Sequence, residues 1–91
     1  MKNEKILDVL DHYERFLTDN DVETLKASKL DFSQSRQSTL GHCLDLILRI
    51  RQLLTIDRDE ALIRFGFLQG VFWIMGIKTI YQLQVDNGQF D

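Results

Sequence analysis

From Asp57 to Gly76 the chain reads DRDEALIRFGFLQGVFWIMG, and the second half of this run is apolar almost all the way round a helical wheel. Phe65, Phe67, Leu68, Val71, Phe72, Trp73, Ile74, Met75 and Ile77 cannot share one face of a helix. A single amphipathic neighbour would leave aromatic surface in water, so other helices of the chain, or a second copy of it, must cover the rest. Few folds of 91 residues can supply that cover.

The remainder of the sequence supplies helices. From Asn3 to Thr18, Ile6, Val9, Leu10, Tyr13, Phe16 and Leu17 recur at three- and four-residue intervals, with Lys5, Asp8, Asp11, Glu14 and Arg15 on the other side. Asp19, Asn20 and Asp21 end that helix, because these side chains compete for backbone hydrogen bonds. Ser38 or Thr39 can cap a second helix in which Leu40, Cys43, Leu44, Ile47, Ile50 and Leu54 make a broad apolar face, widened by Leu46, Leu48 and Leu53. Asp57, three residues before Glu60, suits the start of the central helix. Gly76 suits its end, with Ile77 as a hydrophobic latch. Thr79 can cap a last helix, Ile80 to Val85, which Asp86-Asn87-Gly88 ends. Residues 22 to 38 have a weaker pattern and read as a connector pinned by Leu25, Leu30 and Phe32. The expectation is one all-α domain, 1–91: a small bundle of three main helices (about 3 to 19, 38 to 55 and 57 to 76) with a short C-terminal helix near 79 to 86, completed by dimerisation.

Composition narrows the function classes. A formal charge of -3 disfavours a general nucleic-acid binder, which needs a surplus of Lys and Arg on one surface. The longest apolar run is too short to span a bilayer and contains Gln69 and two glycines, so no membrane partner is expected. The first residues, MKNEKILDVLDHYERF, carry acids where a secretory signal has an unbroken apolar core. With a single cysteine, Cys43, this favours a cytoplasmic chain.

No phosphate loop, nucleophile elbow or paired-cysteine motif occurs, and no cofactor or metal is expected. His12 has Asp8 one turn before it, yet a defined metal site needs three or four convergent ligands. His42 and Cys43 are neighbours and so point to different sides of a helix; Cys43 lies on the apolar stripe and reads as a small core residue. Gly66 and Gly70, one turn apart, cost about 1 kcal/mol each against alanine, and close approach of another backbone or a bulky side chain is the expected gain. Arg49, Arg51, Arg58 and Arg64 cluster on the second and central helices, against an acidic N-terminal third. They read either as a solvated face paired with nearby acids or as a site for an anionic partner. Phe72 and Trp73 read first as core, which would make Trp73→Ala costly; exposed in the monomer they become interface anchors.

The run LIRFGFLQGVFWIMGIKTIYQLQVDN, through Leu68, Gln69, Gly70, Trp73, Gly76, Ile77, Thr79, Ile80 and Leu83, resembles the C-terminal signature of a group of small proteins of tailed bacteriophages and prophages. ILDVLDHYERFL is similar to the N-terminal helix of the same group; Val22 to Gln37 is unmatched, and Phe65-Gly66-Phe67 departs from the pattern. The resemblance transfers no catalytic residue. It implies a phage accessory context, in which small non-enzymatic proteins act by binding host factors. Three activities therefore stand as expectations. The first is a non-enzymatic protein that binds and modulates another protein, with Arg58 and Arg64 supplying register and Phe72 or Trp73 anchoring. The second is a protein that binds or sequesters an anionic metabolite or nucleotide at an arginine-lined oligomer interface. The third is an enzyme using His12 or His42 with nearby carboxylates.

Overall fold

A computed structural model describes residues 1–25 and 35–89, which form four helices: α1 (Asn3–Asp19), α2 (Arg36–Leu53), α3 (Arg58–Ile74) and α4 (Ile80–Asp86). The all-α architecture is the expected one. Leu30 and Phe32, the two further pins assigned to the connector, lie outside the described residues.

Three of the four helices begin at a side-chain cap, and α1, α3 and α4 end beside a residue in the left-handed region. At the end of α1, Asp21 takes a positive φ of 60° and the Val22 amide donates back to the Leu17 carbonyl at 3.1 Å. Ser35 caps α2 by accepting from the Ser38 amide at 3.0 Å, so the helix starts earlier than Ser38 or Thr39 would start it. Asp57 caps α3 by accepting from the Glu60 amide at 3.2 Å, whereas the Glu60 carboxylate turns forward to Arg64 at 2.9 Å instead of closing a reciprocal box. Gly76, at φ +73°, ends α3 with the Ile77 amide bonded to the Phe72 carbonyl at 2.9 Å. Thr79 and Gln82 form the two-way capping box of α4, at 3.1 and 2.9 Å.

The core lies where α2 meets α3 on one side and α1 on the other. Ile6, Leu10, Tyr13 and Leu17 of α1 pack with Leu44, Ile47 and Ile50 of α2 and Ala61, Phe65, Leu68 and Phe72 of α3. Leu83 is the one buried residue of α4. Tyr13 and Phe72 lie with ring centres 4.7 Å apart, and Phe16, half exposed rather than buried, meets Phe72 edge-on at 6.5 Å.

Close packing within the chain falls elsewhere than at the α3 glycines. A β-carbon added at Gly66 or Gly70 would meet nothing within 4 Å, so that side of α3 lies open and no described element of the chain settles there. The close approach occurs at Gly41 instead, where an added β-carbon would fall 2.5 Å from the Glu23 carbonyl oxygen. Residues 22–25 cross α2 at this point: the Leu25 amide donates to the Gly41 carbonyl at 3.0 Å, and the His42 ring Nδ1 lies 3.0 Å from the Leu25 carbonyl oxygen. Leu25 therefore pins the connector through its backbone and by laying its partly exposed side chain against Gly41, and Val22 is the buried apolar anchor.

Candidate functional site

The exposed side of α3 is apolar. Ile63, Phe67 and Ile74 follow one another at steps of four and seven residues and are 67%, 66% and 75% exposed, with Gly66 and Gly70 between them. Trp73 borders this stripe at 48% exposure, which overturns its assignment to the core. Its neighbour Phe72, offered as a second anchor, is wholly buried against Tyr13 and cannot contact a partner. The difference follows from the 100° turn between successive helical residues: Phe72 continues the buried line of Phe65 and Leu68, and Trp73 falls beside it.

Where the stripe nears the end of α3 it forms one wall of an open groove of about 600 Å³. Phe67, Gly70, Trp73 and Ile74 supply this wall, and Arg36 and Thr39, from the first turns of α2, supply the other. The Arg36 guanidinium is held in place by donating to the Met75 carbonyl at 3.0 Å, which satisfies one of the loose acceptors at the end of α3. The groove thus combines an aromatic and aliphatic floor with the Arg36 cation at its rim.

The four arginines singled out in the sequence do not converge. Arg51 reaches back to α1, donating to Glu14 at 2.9 and 3.1 Å and to Asp11 at 2.7 Å. Hydrogen bonding to Glu14, above all, raises its pKa further. Arg58 donates to the Asn3 side chain at 2.7 Å and to the Met1 carbonyl, tying the start of α3 to the start of α1. Arg64 pairs with Glu60 one turn earlier on its own helix. Arg49 is exposed and forms no ion pair among the described residues. Three of the four are therefore engaged inside the chain, and Arg36, which sequence reasoning passed over, is the arginine that reaches the groove.

A second polar cluster, also missed, lies beneath α4. The Tyr13 hydroxyl donates to Asp86 Oδ2 at 2.6 Å and accepts from Gln69 Nε2 at 3.2 Å. Gln69 and Asn87 exchange amide bonds of 2.7 and 3.0 Å, and Lys78 pairs with Asp86 at 3.2 Å while its ammonium stands 5.5 Å from the centre of the Tyr13 ring. Burial, then the bond to Asp86, pushes the Tyr13 phenol well above its ordinary value, so it stays a neutral donor. No buried side-chain polar atom among the described residues lacks a partner. This cluster stitches α4 to α1 and α3, and its members are occupied with one another. The signal for it was present in the sequence: Gln69 stands alone in an apolar run, and a buried amide needs company.

The remaining candidates are local. His12 Nδ1 lies 2.8 Å from the carbonyl of Asp8, on its own helix, and His42 serves the crossing at Gly41. Cys43 is buried, and burial pushes its thiol up to about 11. Among the described residues no group of three or more His, Cys, Asp and Glu side chains could hold a metal ion, and no helix is long and apolar enough to cross a membrane. No family model, no curated protein and no solved structure matches this chain.

Proposed function

We propose that this chain is a small phage-type accessory protein that acts without catalysis, by docking the exposed face of α3 onto another protein and modulating it. The observation that carries the reading is the Ile63, Phe67, Gly70, Ile74 stripe, with Trp73 beside it. It is a line of large apolar side chains and small gaps, in water, on a helix whose opposite face anchors the core. Scattered exposed apolar residues need no explanation, but a continuous row along one helix, ending in a groove, is the surface an amphipathic partner covers. Arg64, paired with Glu60, gives the first half of the helix a charged border that favours some partners over others, whereas Arg58 turns away to α1.

The test is capture from a lysate of the host cell by the wild-type chain, by Phe67→Glu and by the double reversal Arg58→Glu, Arg64→Glu, with the partner identified by mass spectrometry. The reading requires Phe67→Glu to lose the partner while keeping wild-type helicity and melting temperature. Undiminished capture by that variant would refute it. Equal capture by the arginine reversal would restrict the interaction to the apolar stripe.

A second reading is favoured by one specific observation, the meeting of Arg36 with Trp73 and Phe67 in the groove. An aromatic floor beside a guanidinium suits a planar anionic ligand such as a nucleotide, the ring stacking on the aromatic side chains and the phosphate meeting the cation. The site differs from an interface lined by Arg49, Arg51, Arg58 and Arg64, since three of these are engaged within the chain. A nucleotide at 100 times its dissociation constant would add roughly 2.7 kcal/mol of stability. A thermal shift with a nucleotide panel, lost in Arg36→Ala, would move the conclusion to this reading.

A further inference from the structure

We propose that in the free protein the α3 stripe is covered by a second copy of this chain, packed antiparallel about a two-fold axis that crosses α3 between Gly66 and Gly70, and that another protein docks there by displacing it. This rests on the reading of the stripe as a docking face and names what covers it in the free protein. The argument comes from the order of residues along the stripe. Reading from the N-terminus of α3, Asp59, Ile63, Phe67, Gly70 and Ile74 fall on one side at steps of four, four, three and four residues. Asp59 is exposed and forms no ion pair among the described residues. At the other end of the stripe stands Arg36, whose guanidinium is spent on a neutral carbonyl and whose charge no carboxylate answers among the described residues. Among those residues the stripe therefore runs from an anion with no ion-pair partner to a cation with none.

A surface of that kind is complementary to itself when reversed. A parallel pair would set Asp59 against Asp59 and Arg36 against Arg36, with the two helix dipoles aligned. The antiparallel pair sets each Asp59 against the other copy's Arg36, twice over, and opposes the dipoles. With the axis level with Leu68, Gly66 faces the other copy's Gly70, so the two backbones approach where an added β-carbon would meet nothing in the monomer. Ile63 then meets the other copy's Trp73, covering both. The second copy also closes the open side of the groove at Arg36. The length of the contact sets its strength: the stripe from Asp59 to Ile74 spans about 22 Å of a helix roughly 10 Å wide. That footprint, about 200 Å² per chain, is well below a standard specific interface, so the α3 contact gives weak, concentration-dependent association rather than an obligate dimer.

The experiment is sedimentation velocity on the full chain from about 1 to 100 μM, with helicity checked by circular dichroism, on four samples: wild type, Asp59→Arg, Arg36→Asp and an equimolar mixture of the two variants. Wild type is expected to pass from monomer to dimer over this range. Each variant alone places like charges at both ends of the contact and should weaken association by at least about tenfold. In the mixture, the heterodimer brings the two substituted side chains together at one end, where their charges are opposite. At its other end the native Arg36 of the Asp59→Arg chain meets the native Asp59 of the Arg36→Asp chain. The mixture should therefore regain wild-type dimerisation. A wild-type chain that stays monomeric at 100 μM overturns the proposal, as does a mixture that associates no better than either variant alone. If the wild type is monomeric and Phe67→Glu still loses a captured host protein, the docking face stands and its occupant is that protein instead.

Discussion

Phe72 and Trp73 are adjacent aromatic residues on one helix, and the fold assigns them opposite energetics. Phe72 is fully buried between Tyr13 and Phe16, so Phe72→Ala removes the transfer free energy of the ring and leaves a cavity, about 3 to 5 kcal/mol in all. Trp73 is 48% exposed, and truncating a half-buried indole in the monomer costs about half as much, about 1.5 to 2.5 kcal/mol. A chain of this size holds a total stability of about 5 to 10 kcal/mol. Phe72→Ala should therefore lower the melting temperature by roughly 12 to 40 °C, and Trp73→Ala by about half as much. Urea titration followed by circular dichroism at about 1 μM, below the association range, measures both, and an unchanged slope would confirm that the comparison is one of stability. Equal losses for the two variants at that concentration would refute the orientation of α3. A Trp73 cost that grows with protein concentration would show the ring covered by a second chain.

Gly41→Ala should destabilise the fold by more than about 1 kcal/mol, because the gain in helix propensity is smaller than the cost of displacing the Glu23 backbone. Gly66→Ala, in open space, should stabilise the monomer by about 0.5 to 1 kcal/mol, and thermal melts of the two variants at low concentration decide between these signs. Cys43 has a thiol raised from 9.0 to about 11 by burial, so the fold favours its neutral form. The unfolded chain releases that proton first, and this contribution is intact below pH 9 and lost as the pH rises from 9 to 11. The melting temperature of the wild type should fall more steeply over that window than that of Cys43→Ala, and alkylation of native Cys43 at pH 8 should be slow.

Much of the fold was legible because most helices carry a direction. In α1 the apolar positions lie on one side, and both its span and its buried residues follow from that asymmetry, apart from Phe16 at the margin. The ends of α3 and α4 were legible for a different reason: Asp57, Gly76 and Thr79 each satisfy a backbone group that few other residues can. The start of α2 was less so, since Ser35, Ser38 and Thr39 are all competent caps within one turn. The site was hardest to read because α3 is apolar all round, and a pattern without a polar side cannot say which side faces water. Composition alone places Trp73 in the core, and nearness in sequence groups the arginines, although Arg51 and Arg58 point to α1. Arg36 gave no signal because its role depends on the end of α3, 39 residues away.

The short link between α2 and α3 has a kinetic consequence. Leu54 to Asp57 joins two helices that pack on each other, whereas α1 must find its place across far longer stretches of chain: Tyr13 meets Gln69 and Asp86, and Asn3 meets Arg58. Closing a long loop costs entropy before any contact forms, so we expect the α2–α3 hairpin to assemble first and α1 and α4 to lock onto it afterwards. Truncations in the hairpin core, such as Ile47→Val, should then slow folding, while Tyr13→Phe should chiefly speed unfolding. On that route the α2–α3 pair is ordered before α1 arrives, and for an interval the side of α3 that receives α1 faces water along with the outer stripe. The glycines and the lone Gln69 that interrupt its apolar run then limit how readily two half-folded chains adhere to each other.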